Sequence, residues 1–240
     1  MAASSSLSRV KHAYAVAAQS VGRVLTRTGV LGETAPPIEQ TGRHWAFSLT
    51  RVHDSIAIAQ LDVPWWTYRS IDAVSLWLST RSTPLRAYEY GSGASTFWLA
   101  RRFAEVESVE HHLGFGEMMQ GELGSFSNVK LRLIEPAAAR DPGIGSEKEG
   151  HAGLDFTDYV RSIDAVDGQF DLIVIDGRAR EACLTASVPR LAEGGIIVYD
   201  NSRRPRYRRA IEASGMVEHR YRGLTPTLPY PDQTSLLTAR

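Results

Sequence analysis

The chain of 240 residues is long enough for one large domain or two small ones, and either would bury a substantial core. Hydrophobic residues make up 43% of the sequence and charged residues 22%, which is typical of a soluble globular protein. Because 27 basic residues balance 27 acidic ones, the overall charge gives no bias toward a nucleic-acid partner, and none is expected.

The number of cysteines and the length of the apolar runs indicate the cellular compartment of the protein. The single cysteine, Cys183, excludes an intrachain disulfide and a cysteine-rich metal site. A chain of this kind fits a reducing compartment, so we expect a cytoplasmic protein. No apolar run approaches the roughly 20 residues that span a bilayer, and the N-terminus lacks the apolar centre of a signal peptide. We therefore expect no transmembrane segment.

The first part of the chain, residues 1–60, is predicted to be an N-terminal helical extension and a linker. An amphipathic helix near the N-terminus would carry the apolar contacts Val10, Tyr14, Val16, Val21 and Leu25. This face would pack on its own domain or on a second copy of the chain, forming a homo-oligomer, and peripheral membrane contact is a further alternative. Glycine, two prolines and polar groups predict a linker over residues 30–45.

Residues 61–240 are predicted to form one α/β domain. Helical segments interrupted at Pro64 come first, and then short apolar strands alternate with helices. The strands are LRAYEY, EVESVEH, NVKLRLIE, FDLIVID and IIVYDN, and REACLTASVPRLAEGG (residues 180–195) is predicted to be one helix despite Pro189. Two final strands, in MVEHRYRGL and TSLLTAR, have no helix between them. The pattern predicts a doubly wound, mostly parallel seven-stranded sheet with an antiparallel edge hairpin.

A glycine turn follows the first strand, in the segment EYGSGAS. Ligands of open α/β sheets bind at the carboxyl ends of the strands, and Gly91 and Gly93 let the backbone approach one closely. The third glycine of a dinucleotide loop is absent, and the carboxylate of Glu89 would repel a pyrophosphate. Glu110, at the end of the second strand, can accept hydrogen bonds from both hydroxyls of a ribose. A nucleoside with a cationic group fits these residues better than a dinucleotide.

In order and spacing, four motifs resemble those of the class I S-adenosylmethionine-dependent methyltransferases. They are EYGSGAS, VESVE, FDLIVIDG and LAEGGIIVYDN. The resemblance implies a Rossmann-like methyltransferase fold, S-adenosylmethionine as cofactor, and methyl transfer as the activity. The cofactor-binding residues that it implies are Glu89, Gly91, Ser92, Gly93, Ser95, Glu110, Asp176 and Tyr68. Ser95 stands where many members have glycine, and a serine there can cap the following helix.

Oxygen-bearing side chains end the fourth and fifth strands. Asp176 follows one, and Asp200 and Asn201 follow the other, so a parallel sheet would bring them together at one edge. The set suits Mg²⁺ and is similar to that of the catechol- and caffeoyl-coenzyme-A-type O-methyltransferases, where the metal activates a substrate hydroxyl. Those enzymes carry a lysine where this chain has Arg178 and Arg180, and Asp-Asn also ends strands as a turn. Without a metal, Asp176 or Asp200 would be the catalytic base.

Two further groups of residues have more than one interpretation. His111 and His112 are additional candidate bases, or they flank an adenine, or they lie at the surface. Arginines at 203, 204, 206, 208 and 209 form a solvated helix face or contact an anionic substrate or surface.

The expected function is methyl transfer to a small-molecule or glycan acceptor, at oxygen. The alternatives are a nicotinamide-dependent oxidoreductase, a non-catalytic cofactor-binding adaptor of the same fold, and a nucleic-acid methyltransferase. The missing third glycine and Glu89 disfavour the oxidoreductase, and the balanced charge disfavours the nucleic-acid enzyme.

Overall fold

A computed structural model describes residues 32, 34–51, 55–82 and 84–240. The predicted N-terminal amphipathic helix and its apolar contacts lie outside these residues. No helix in the described ranges is long and apolar enough to cross a membrane. The division of the chain at residue 60 stays a prediction. The segment before residue 60 contacts the rest of the chain, since Trp45 Nε1 donates a hydrogen bond to the Leu228 carbonyl at 2.8 Å.

Within the described part of the chain, seven strands form one sheet. They are β1 (Arg86–Tyr90), β2 (Glu105–Glu110), β3 (Val129–Leu133), β6 (Phe170–Ile175), β7 (Leu191–Tyr199), β8 (Val217–Gly223) and β9 (Asp232–Thr238). The order across the sheet is β3-β2-β1-β6-β7-β9-β8. The first five pair in parallel, and β9 is antiparallel to both of its neighbours. The predicted doubly wound, mostly parallel sheet with an antiparallel edge hairpin is confirmed.

A short ribbon stands apart from this sheet. Its strands, β4 (Ala137–Ala138) and β5 (Leu154–Asp155), pair antiparallel and close the segment between them into a long loop. Glycines and charged residues predict a loop at 140–153. They do not predict the pairing at its base, because two-residue strands carry no periodicity.

Helices cover both faces of the main sheet. They are α1 (Thr41–Ser48), α2 (Ser55–Ala59), α3 (Tyr68–Ser79), α4 (Ala94–Ala100), α5 (Leu113–Leu123), α6 (Thr157–Arg161), α7 (Arg180–Ser187) and α8 (Pro205–Ala213). Helix α1 begins inside the predicted linker at 30–45. The single helix predicted over 180–195 is wrong at its end, since α7 stops at Ser187 and β7 already begins at Leu191. Pro189 lies in the 3₁₀ turn between them, where its missing N–H costs no helical hydrogen bond.

Alternate residues of the central strands pack into two separate cores. Ala87, Leu172, Val174, Ile196 and Val198 contact the side of the sheet that α3 and α4 cover. The residues between them along the strands, such as Ile173, Ile175 and Ile197, pack under α6, α7 and α8. Because both faces are buried, β6 and β7 are continuous apolar runs rather than alternating ones.

Two turns meet at the carboxyl edge of the sheet. Gly91, after β1, has φ +95°, and a Cβ atom there would lie 2.7 Å from the Cα of Gly177, after β6. The backbone N–H of Asp176 donates to the Tyr90 carbonyl at 3.0 Å, which holds the two strand ends together. Only glycine fits at residue 91, since both the dihedral angle and the space require it.

We expect Trp98→Ala to lower the free energy of unfolding by about 3–5 kcal/mol, because a buried tryptophan is lost and a cavity remains. Trp98 is 1% exposed and packs edge to face on Trp66, with ring centroids 5.6 Å apart. Urea denaturation followed by circular dichroism measures the change. The control is Leu76→Ala, at a side chain 69% exposed, for which a change within about 0.5 kcal/mol is expected. Equal losses in the two variants would contradict the assigned core.

Candidate active site

The turn between β1 and α4 combines an accessible glycine backbone with a buried, unpaired hydroxyl. A Cβ atom on Gly93 would meet nothing within 4 Å, so a ligand can reach its Cα. The backbone N–H of Gly93 donates to Thr96 Oγ1 at 2.9 Å. Ser92 Oγ is buried and has no hydrogen-bond partner among the described residues. A buried hydroxyl without a partner is uncommon in a folded protein, and a bound ligand is one way to satisfy it.

Glu89 lies beneath this turn and is fully buried. One carboxylate oxygen accepts a hydrogen bond from Ser95 Oγ, and the other accepts from Thr96 Oγ1 at 2.6 Å and Ser108 Oγ at 2.7 Å. Burial raises the pKa of Glu89 to about 7, although the three hydroxyl donors oppose the rise and the charge of Asp176 adds to it. Because Glu89 is buried, its charge can influence a ligand only electrostatically or through the hydroxyl groups that donate to it.

Ser95 has a different role from the one predicted. The N-cap of α4 is Gly93, and Ser95 is the second residue of the helix. Its hydroxyl donates to Glu89, so it does not cap the helix. That Ser95 lies at the site stays a prediction; the residue is two positions after Gly93.

Glu110 ends β2 and organises the turn that follows. Its Oε1 accepts from the backbone N–H groups of His111 at 2.9 Å and His112 at 2.8 Å, and it lies 2.7 Å from His111 Nδ1. Burial opposes ionisation, but the contacts with His111 and His112 outweigh it and hold the pKa of Glu110 below its usual value. The side chain is therefore an ionised, oriented acceptor at neutral pH.

Aromatic rings surround this end of the site. The His111 ring lies 5.7 Å from the His151 ring and 5.9 Å from the Phe156 ring, centroid to centroid. His151 belongs to the long loop between β4 and β5, and sequence reasoning did not single it out. No motif marks it, because it reaches the His111 ring only through the fold of that loop.

At the ends of β6 and β7, an arginine joins two carboxylates. Arg180 is 5% exposed, and its guanidinium donates to Asp176 Oδ1 at 2.6 Å. It also donates to the backbone carbonyls of Asp176, Gly177 and Asp200, at 2.6, 3.0 and 2.6 Å. The Asp200 Oδ2 atom is 4.0 Å from the guanidinium, and its Oδ1 accepts from Thr234 Oγ1 at 2.8 Å.

The two aspartates differ from ordinary surface carboxylates. Burial raises the pKa of Asp200 well above its usual value, the charge of Asp176 adds to the rise, and Arg180 opposes it. Burial also raises the pKa of Asp176, against the opposing charges of Arg180, Arg178 and Arg204. Both aspartates therefore hold a proton more tightly than a surface carboxylate does.

The predicted Mg²⁺ ligands come together, but their contacts do not fit a metal ion. The cation between Asp176 and Asp200 is the guanidinium of Arg180. Asn201, with φ +49°, donates its side-chain amide to Asp232 Oδ2 at 2.9 Å, so the amide oxygen is not held toward the aspartates. Across the ranges that the structure describes, no group of three or more His, Cys, Asp or Glu side chains is arranged to hold a metal ion.

A cavity of about 230 Å³ opens beside this cluster. Its lining consists of Trp65, Asp176, Asp200, Asn201, Arg204, Thr227, Leu228, Tyr230 and Asp232. Trp65 is fixed by a hydrogen bond from Nε1 to Thr227 Oγ1 at 2.9 Å. Sequence reasoning missed Trp65 and Asp232. Trp65 lies three positions before Tyr68, which the resemblance implied as a cofactor residue.

Tyr68 does not line this cavity. Its side chain is buried, and its hydroxyl lies 2.7 Å from His44 Nδ1 on α1. Desolvation by burial raises the pKa of the phenol. The contact joins α1 to α3, and cofactor contact by Tyr68 stays a prediction.

Known proteins resemble this chain in structure only, and at low sequence identity. No protein-family model and no curated protein matches the sequence. Among solved structures, precorrin-6y C5,15-methyltransferase from Geobacter metallireducens GS-15 is 15% identical, with a TM-score of 0.46 over 71% of this chain and 88% of that one. An rRNA methylase from Streptococcus thermophilus is 15% identical (TM-score 0.47, 71% and 96% covered), and the N-methyltransferase NodS from Bradyrhizobium japonicum WM9 is 16% identical (0.43, 70% and 92%).

The mostly parallel sheet with an antiparallel edge hairpin is the architecture that the resemblance to the class I methyltransferases implies. Identities and TM-scores this low say nothing about activity or acceptor, so only the residues of this chain bear on its function.

The pH dependence of stability tests the environment of Glu89. Its pKa of about 7 in the folded protein exceeds the 4.5 of an unperturbed glutamate, so the folded state holds the proton more tightly between these values. The contribution is fully present below pH 4.5 and is lost as pH rises through 7. From pH 4.5 to 8, we expect the free energy of unfolding to fall by about 3 kcal/mol more in the wild type than in Glu89→Gln.

Chemical denaturation at a series of pH values measures this difference. Glu122→Gln, at an exposed position on α5, is the control and should follow the wild-type pH profile. Parallel profiles for the wild type and Glu89→Gln would show that Glu89 is an ordinary carboxylate.

Proposed function

We propose that this protein binds S-adenosylmethionine and transfers its methyl group to a hydroxyl of a small-molecule or glycan acceptor. The observation that carries the proposal is the pairing of two acids with the glycine turn, Glu89 beneath it and Glu110 at the next strand end. The turn, from Gly91 to Gly93, brings backbone rather than a basic side chain to the ligand. A cationic nucleoside fits such a site, and a pyrophosphate does not.

Each part of the cofactor has a partner in the site. The buried charge of Glu89 favours the sulfonium and ammonium groups, and Ser92 Oγ supplies an unsatisfied hydroxyl nearby. The contacts of Glu110 with His111 and His112 use Oε1, which leaves Oε2 to accept from the ribose hydroxyls. The rings of His111 and His151 offer an apolar edge for the adenine.

The acceptor would occupy the cavity beside Asp200. Trp65 and Tyr230 offer ring faces, and Asp176, Asp200 and Asp232 offer oxygens that accept from hydroxyls. Aromatic faces combined with acceptor oxygens suit a sugar or another polyol. This combination supports oxygen as the methylated atom.

Asp200 is the proposed general base. The acceptor oxygen attacks the methyl carbon as the carbon–sulfur bond breaks, the bonding electrons go to sulfur, and the hydroxyl proton goes to Asp200. The raised pKa of Asp200 makes it a better proton acceptor than a surface aspartate. Asp176 is held by Arg180 and would orient the acceptor and border the cofactor. The chain's residues supply alignment and a proton acceptor without a metal-dependent step.

We expect Glu110→Gln to weaken the binding of S-adenosylhomocysteine by about 1–3 kcal/mol, because the ionised acceptor for the ribose is lost. The glutamine Oε1 can still accept from the His111 and His112 backbone, so the turn is kept. Isothermal titration calorimetry measures the affinity. Glu117→Gln, exposed on α5, is the matched control and should bind as the wild type does. Unchanged affinity in Glu110→Gln would mean that the ribose binds elsewhere.

We expect Asp200→Asn to lower kcat about 100-fold or more, since a general base contributes roughly that much. The assay follows S-adenosylhomocysteine release with the hydroxyl acceptor that gives the highest turnover in a screen of free and phosphorylated sugars. Wild-type kcat should rise with pH as Asp200 loses its proton, and the variant should lose this dependence. The control is Asp158→Asn, at an exposed position on α6. A variant that keeps both kcat and the pH profile would exclude Asp200 as the base.

A further inference from the structure

A second cavity, of about 90 Å³, adjoins the acceptor cavity, and Arg204 lines both. Its charged lining consists of Lys148, Arg178, Arg180, Arg204 and Arg206 against Glu147 and Glu181. It continues into a wider cavity of about 590 Å³ between the long loop and α8, with which it shares Ser146 and Arg206. We call the smaller cavity the basic cavity. Its excess of positive charge contrasts with the acidic acceptor cavity next to it.

Three arginines of the basic cavity have no acidic side chain within ion-pair distance among the described residues. Within the described residues, Arg178, Arg204 and Arg206 form no ion pair, whereas Arg180 pairs with Asp176 and Arg208 pairs with Glu218 at 2.7 Å. The Nε atom of Arg178 is buried without a hydrogen-bond partner. Burial and the charge of Arg180 lower the pKa of Arg178. A buried guanidinium N–H group without a hydrogen-bond acceptor is costly, and a bound anion would supply the acceptor.

The first turn of α7 also faces the basic cavity. Residues 177–181 line it, and α7 begins at Arg180. The N-cap residue, Ala179, has φ +48° and provides no side-chain cap. The first N–H groups of a helix and the positive end of its dipole attract anions, and phosphate is a common ligand there.

We propose that the basic cavity binds a phosphoryl group carried by the methyl acceptor. Guanidinium groups from several directions and the start of α7 supply more donors than a carboxylate uses, and a phosphate has three oxygens for them. The acceptor is then a phosphorylated polyol whose hydroxyl lies near Asp200 and whose phosphate contacts Arg178 and Arg206. The link to methylation rests on the function proposed above, but the anion site itself does not.

Calorimetric titration of the full chain with inorganic phosphate and with glucose 1-phosphate tests the site. Arg178→Gln and Arg206→Gln should each weaken binding of both probes at least tenfold. Arg203→Gln is the control, since Arg203 is exposed in the same basic run but lines neither the basic cavity nor the wider one. It should change the affinity less than twofold. Binding should also weaken as salt concentration rises.

S-adenosylhomocysteine titrated into the same variants separates the two proposals. All three variants should bind it as the wild type does, which also shows that they are folded. If S-adenosylhomocysteine binds and neither phosphate probe does, the anion site is overturned and the proposed function stands. If the probes bind and S-adenosylhomocysteine does not, the reverse holds. Equal losses of phosphate affinity in Arg203→Gln and Arg206→Gln would mean that only the general surface charge attracts the anion, and would overturn the site.

Discussion

The hydrogen bonds of Arg180 hold the functional edge of the sheet together. One guanidinium connects the turn after β6 to the turn after β7 through three backbone carbonyls, and it also neutralises Asp176. Removing it would leave two buried carboxylates facing each other, which is far more costly than losing a surface ion pair. Because Arg180 also lines the basic cavity, the shape and the charge of both cavities depend on this side chain.

The two cavities give the edge a charge gradient. Asp176, Asp200 and Asp232 face one cavity, and unpaired arginines face the other, with Arg204 between them. A ligand that carries hydroxyls at one end and an anion at the other has a single favourable orientation across such a gradient. The net charge of the whole chain does not reveal this arrangement, because equal numbers of acidic and basic residues can still be segregated in space.

Sequence patterns sufficed where a residue's role depends on its own strand. The apolar runs predicted the parallel strands, and the carboxyl edge of the sheet follows from them, so Asp176 and Asp200 meet as expected. Roles set by distant contacts could not be predicted. Ser108, on another strand, donates to Glu89 together with Ser95. Nothing in the sequence shows that the guanidinium of Arg180 lies beside Asp176, where a metal ion was predicted. The extent of α7 was missed because the glycines at 194 and 195, interpreted as a helix end, belong to β7.

The contact between Gly91 and Gly177 limits which positions of the site can be mutated. The two residues belong to turns of different strands, and there is no room between them for a single methyl group. A side chain at residue 91 would clash with the Gly177 backbone, and one at residue 177 would clash with the Tyr159 hydroxyl, so neither position tolerates variation. Diversity is better placed across the cavity, in the segment from Thr227 to Asp232, where side chains line open space and the backbone leaves the parallel core.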